Sequence, residues 1–183
     1  MIVTDALGTV TVQLENAAMA ELHQHCKKWI AMWREYPVLI ERYAQRGGLS
    51  PTAPDLADRA YHTLLLGRMG ELATARYLDA PYSLNVQPGD INPTDVDGVE
   101  VRAVDSYQKR LITHEYDKPS PYVLAVCDDG TATVVLRGWL HLRYCNQAPN
   151  WRTDVPKPAY FTPGTVLQPM DTLRTYYQNR KRR

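Results

Sequence analysis

The sequence predicts an α/β (α+β) fold, a central mixed β-sheet flanked by helices. Two observations carry this expectation. Apolar residues recur at spacings of three and four over two long stretches within the first 80 residues. Between residues 99 and 140, short apolar or alternating runs are separated by turn residues, the signature of strands. Helices first, strands next and a mixed segment last is an order that a layered helix-and-sheet domain accommodates.

Taken in order, residues 2–14, IVTDALGTVTVQL, read as a strand or a short extended arm. From Glu15 to Glu35 the pattern is helical, with Ala18, Leu22, Cys26, Trp29, Ile30 and Trp33 on one side. Pro37 ends or kinks that helix, and a second short one is expected from Val38 to Arg46, before Gly47-Gly48. The loop LSPTAP hands over to the longest helical candidate, Asp55 to Asp79. Residues 81–98, rich in Pro, Gly, Asn and Asp, read as loops and tight turns. The strand candidates are VEVRAV (99–104), RLITHEY (110–116), YVLAVCD (122–128) and TATVVLRGWL (131–140), the last two joined through Asp128-Asp129-Gly130. A closing helix is expected from about Asp171. The organisation expected is an N-terminal helical extension over 1–50, a core over 51–175 and a basic tail over 176–183 ending in NRKRR.

Composition narrows the class. With 183 residues and a net charge of +1, the chain can bury a core, and its charge neither demands nor excludes a polyanionic partner. Three dispersed cysteines without a CxxC support neither a disulfide framework nor a zinc ribbon. The opening MIVTDALGTV is unlike a secretory signal, and no apolar run is long enough for a membrane span, so a cytoplasmic setting without membrane contact is expected. No Walker or dinucleotide loop and no nucleophile elbow is present, which leaves an ordinary small-molecule enzyme without a motif.

The chemistry-bearing residues are acids. In GRMGELATARYL, helical spacing puts Glu71 on a face with Leu64, Gly67, Arg68, Ala75 and Leu78. A carboxylate there needs a cation or a partner, which could be an ion pair with Arg68 or Arg102. Gly67 and Gly70 each cost a helix about 1 kcal/mol relative to alanine, which makes sense where another backbone approaches closely. In DVDGVEVR, Asp97-Gly98 can reverse the chain, and alternation then puts Glu100 and Arg102 on one face and Val99, Val101 and Ala103 on the other. Asp95 on the incoming arm would reach Glu100. Two carboxylates with the Val101 carbonyl make a hard oxygen site suited to Mg²⁺ or Mn²⁺. Arg102 could then stabilise a phosphate. The same eight residues also fit the charged face of an ordinary solvated strand.

In succession, GRMGELATARYL, DVDGVEVRAV, RLITHEYDKPSPYVLAV, RGWL and PAYFTPGTVLQPMDTL resemble the PD-(D/E)XK nuclease-like superfamily, in the form of small phage or prophage proteins. The resemblance covers roughly residues 60 to 173. It implies a restriction-endonuclease-like core and Mg²⁺-dependent hydrolysis of nucleic-acid phosphodiester bonds, in a host cytoplasm if phage-encoded. It matches Asp95 to the first metal acid, with Asp90 and Asp97 as competitors, Glu100 to the second and Glu71 to the helical acid. Arg102 stands where the family has lysine. An arginine stays charged and favours bidentate phosphate contact, but it cannot serve as a general base. The alternative is therefore a catalytically degenerate member that binds nucleic acid or a phage or host protein partner. DNA is the expected partner, with RNA an alternative, and duplex cutting would call for a homodimer.

Lesser candidates are His114, read as a core-edge histidine or a phosphate contact, and the group His23, His25 and Cys26, whose spacing converges poorly on one helix face. In the C-terminal half, Trp139, Tyr144, Trp151, Tyr160, Tyr176 and Tyr177 interleave with Arg137, Arg143, Arg152 and Lys157, a mixture that suits base stacking or a protein interface.

Overall fold

The computed structural model describes residues 1–35, 38, 41, 44, 55–84 and 95–182. The helix expected over 38–46, the LSPTAP loop and Asp90 fall wholly or mostly outside them.

The fold is α+β with a mixed five-stranded central sheet. In chain order the elements are β1 (Ile2–Thr4), β2 (Val10–Gln13), α1 (Asn16–Glu35), α2 (Leu56–Leu78), β3 (Glu100–Val104), β4 (Leu111–Thr113), β5 (Pro121–Asp128), β6 (Thr133–His141), α3 (Leu142–Cys145), β7 (Trp151–Arg152), β8 (Ala159–Thr162) and α4 (Met170–Lys181). The sheet runs β1-β2-β6-β5-β3, antiparallel throughout except for the parallel pair β3 and β5. A second, three-stranded sheet, β4-β8-β7, is antiparallel.

Strand β5 explains the layering. Its run PYVLAVC is buried residue after residue, the pattern of a strand covered on both faces. Val123, Ala125 and Cys127 join the main core with Leu65, Met69 and Ala73 of α2, and with Leu22 and Cys26 of α1. Tyr122 and Leu124 point the other way, into a smaller cluster with Leu111, Leu140, Leu142 and Cys145. Gly70 lets α2 lie close to the sheet, since a Cβ there would stand 3.1–3.2 Å from Val101, Ala103 and Ala125 side chains. Gly67 does not have that role: a Cβ would meet nothing within 4 Å.

Three expectations change. The described residues of the N-terminal segment are joined to the core, because β2 pairs with β6 and Val10, Val12 and Leu14 lie in the main core. Of the segment expected as a basic tail, residues 176–181 belong to helix α4, which buries Tyr177 beside Met170 and Leu173. The RLITHEY strand stops at Thr113 and belongs to the second sheet. The Asp117 carboxylate accepts the His114 N–H at 2.9 Å and the Asp117 N–H bonds the His114 carbonyl at 3.1 Å, turning the chain there. Among the described residues no helix is long and apolar enough to cross a membrane.

Candidate functional site

The hairpin expected from Asp97-Gly98 forms. Val96 and Val99 exchange backbone hydrogen bonds of 2.9 and 2.8 Å around it. Asp97 (φ 36°) and Gly98 (φ 91°) supply the two left-handed residues that a two-residue hairpin turn needs. On the incoming arm, Asp95 Oδ2 accepts the Val101 N–H at 2.8 Å. Among the described residues, strand β3 is an edge of the central sheet, paired only with β5, so this bond marks its open side. The N–H and C=O of one strand residue project to the same side, so the Val101 carbonyl faces that open edge too.

The acids reach this edge from different layers. Val101 and Ala103 lie under Gly70 of α2. Glu100 and Arg102 turn to the opposite face, between the two sheets. Glu100 is only 8% exposed, and burial, followed by the charge of Asp95, pushes its carboxyl up to about 7. Glu71 comes from the α2 side, with 14% of its side chain exposed. Its Oε2 accepts from Arg68 Nη1 at 2.6 Å and from Tyr82 Oη at 3.5 Å. Burial still outweighs Arg68, and with Asp95 adding its charge the Glu71 carboxyl also rises to about 7. Asp95 is thus the neighbour that both glutamates feel. Two carboxyls near neutrality beside a third acid are the electrostatic mark of a site that gains by taking up a cation or a proton.

Arg102 is firmly held. Its Nη2 donates to Asp117 Oδ2 at 3.0 Å and its Nε to the Ile112 carbonyl at 3.3 Å, and its guanidinium carbon lies 5.0 Å from the Tyr122 ring centroid. Glu100 Oε2 is 3.9 Å away. Burial works against the charge, but Asp117 more than offsets it and Arg102 titrates above its ordinary value.

Of the competitors for the first acid, Asp90 lies outside the described residues, and Asp97 is engaged by α4. Its Oδ2 accepts from Tyr177 Oη at 2.6 Å and lies 3.9 Å from Lys181 Nζ, while Arg180 Nη1 is 3.5 Å from the Gly98 carbonyl. The C-terminal helix therefore braces the hairpin that carries Asp95 and Glu100. Replacing Tyr177 by phenylalanine should cost about 1.5–3 kcal/mol, the range for a hydrogen bond to a charged acceptor. Urea denaturation at neutral pH measures it, and an unchanged midpoint would mean that the brace contributes nothing.

Asp117, Lys118, Tyr82 and Tyr177 were not singled out in the sequence as neighbours of the site. Lys118 matters because its charge reaches Glu100. Tyr177 left a trace, the i, i+3, i+7 stripe Met170, Leu173, Tyr177. His23 Nδ1 lies 2.5 Å from Tyr61 Oη, and Cys26 is buried, so both are occupied within the α1–α2 layer. His114 is a core-edge residue 3.7 Å from Asp117.

Among the described residues, no group of three or more His, Cys, Asp or Glu side chains is arranged to hold a metal ion. The residues that could hold one are fewer: Asp95, Glu100 and the Val101 carbonyl, all hard oxygens, with Glu71 in support. Mg²⁺ is commonly held by one or two carboxylates, with water and substrate phosphate completing its shell, so this set suits it. A cation there would offset the burial penalty that, with the charge of Asp95 added, raises both glutamates. Searches against family models, curated proteins and solved structures find no match to this chain.

Proposed function

We propose that this chain is a metal-dependent nuclease-like protein of the PD-(D/E)XK type, acting on the phosphodiester bonds of nucleic acid, with DNA as the first substrate to test. One observation carries the reading: Asp95, braced against Val101 at an edge of the described sheet, adds its charge to both Glu71 and Glu100, and both of these, buried first of all, are pushed up to about 7. Asp95, Glu100 and the Val101 carbonyl would hold Mg²⁺ or Mn²⁺, which when bound polarises a phosphodiester and acidifies a water. Glu71, poised near neutrality, is the group best suited to hold or accept a proton beside that set. Arg102 cannot act as a base. Anchored by Asp117, it presents a fixed positive charge toward the Glu100 side.

A second reading, a degenerate nuclease fold that binds nucleic acid or a protein partner without cutting, draws support from the same anchoring. Asp117, Ile112 and Tyr122 already engage the guanidinium, and Arg68 already neutralises part of Glu71.

The deciding experiment is cleavage of duplex, single-stranded and branched DNA in Mn²⁺ and in Mg²⁺, with Glu100→Ala and EDTA as controls. Cleavage that needs the ion and falls to background in Glu100→Ala supports hydrolysis. The melting temperature is read in parallel. An ion-induced rise that Glu100→Ala loses, without cleavage, supports the binding reading, and neither effect at millimolar ion removes the metal site altogether.

A further inference from the structure

Resting on the nucleic-acid reading above, we infer that the Tyr116 ring, on the turn after β4, and Lys157, on the segment before β8, form a platform for an unpaired nucleotide, which makes a single strand the preferred substrate. Asp117, the partner of Arg102, ends the short turn His114–Asp117, so that turn is tied to the Glu100 side of the site. At its outer end Tyr116 is 67% exposed. A large ring at that exposure gains little for the fold, and its surroundings suit a base with a phosphate attached. His114 stacks against the Tyr116 ring at 5.1 Å between centroids and 18° between planes, which fixes its orientation. Lys157, reaching over from the segment before β8, holds its Nζ 4.7 Å from the Tyr116 centroid and is itself exposed. Lys118, also exposed, follows Asp117 directly, and its charge is felt by Glu100.

A base stacked on Tyr116 would displace only an exposed, weakly held ammonium, and that ammonium would then be available to the phosphate of the same nucleotide. Stacking on an aromatic ring beside a cation is how single strands are bound without sequence reading, because every base has a π-face. A base inside a duplex keeps its faces buried against its neighbours and has none to offer. The commitment is thus to a strand with unpaired bases. DNA and RNA share that chemistry.

The test is fluorescence anisotropy in EDTA, so that hydrolysis plays no part, with labelled single-stranded DNA, single-stranded RNA and duplex DNA of equal length. The wild type should bind one or both single strands more tightly than duplex. Tyr116→Ala should lose roughly tenfold in single-strand affinity, about the loss of one stacked base, with little change on duplex. Tyr116→Phe keeps the ring and should keep the affinity. Lys157→Ala should lower the slope of log K against log salt by about 0.7, one phosphate contact to a single strand. Duplex preference, no binding to any of the three, or equal single-strand binding by wild type and Tyr116→Ala would overturn the inference. If Tyr116-dependent binding persists but no cleavage occurs in Mn²⁺, the hydrolytic reading fails and the platform stands. Cleavage with unchanged Tyr116→Ala binding has the opposite meaning.

Discussion

Replacing Glu100 by glutamine is expected to stabilise the metal-free protein at pH 8 by about 2–3 kcal/mol and to leave it nearly unchanged at pH 4.5. The sign follows from the protons. Burial and Asp95 raise the Glu100 carboxyl from 4.5 in an ordinary setting to about 7 in the fold. Below pH 4.5 the group is protonated in both folded and unfolded chains and contributes no pH dependence. As pH climbs from about 4.5 to 7, the unfolded chain gives up its proton while the fold still holds one, so stability falls. Above pH 7 the full penalty of a buried carboxylate beside another acid is present. Glutamine keeps the shape and removes the charge.

Other groups move the total curve in other directions. His25, His114 and His141 are lowered by burial, which makes stability rise with pH through their range. The reading is therefore the difference between wild type and Glu100→Gln in denaturant titrations at pH 5, 6, 7 and 8. That difference should grow across the series. A constant difference would mean that Glu100 is not held near neutrality. Mn²⁺ should act as the proton does, stabilising the wild type more at pH 8 than at pH 6 and the variant at neither, if Glu100 is a ligand.

The local parts of this site were legible in the sequence because local chemistry makes them. Asp97-Gly98 can adopt the positive φ values of the turn, and strand alternation then separates Val101 from Glu100 and Arg102. Helix α2 followed from period 3.6 alone, and Glu71 with Arg68 from a spacing of three residues. What escaped depends on long-range pairing. Strands β1 and β2 are short and flank Gly8, so they resemble an arm until β6, 120 or more residues later, pairs with Val10–Gln13. The employment of Arg102 escaped for a similar reason. Its partner Asp117 comes fifteen residues later, on a turn placed only when the second sheet folds across the first. Asp117 itself follows the strand expected over 110–116, and only its bonds to His114 and Arg102 give it its role.

The ion pair on α2 supports the other large effect. Arg68→Met should cost about 3–5 kcal/mol at pH 8, because it leaves Glu71 as a buried carboxylate without its cation. Arg68 and Glu71 are each 14% exposed, so solvent does little to screen the loss. Among the described residues Arg68 Nε is buried without a hydrogen-bond partner, so its removal also takes away one unsatisfied donor and favours the lower end of that range. The cost must depend on pH. Arg68 pulls the Glu71 carboxyl down, and without it the group rises further above 7, keeping its proton to higher pH. At pH 5 Glu71 is then neutral in the fold and needs no cation, so most of the loss should vanish. Arg68→Met with Glu71→Gln should recover most of the stability at pH 8, since it removes both members of the pair instead of stranding one. An equal loss at pH 5 and pH 8, with no recovery in the double variant, would reduce Arg68 to a packing residue. If Glu71 shares a divalent ion with Asp95 and Glu100, the same variant carries a further signature. Arg68 and the ion are then alternative ways to neutralise one carboxylate, and Mn²⁺ should raise the melting temperature of Arg68→Met by more than that of the wild type.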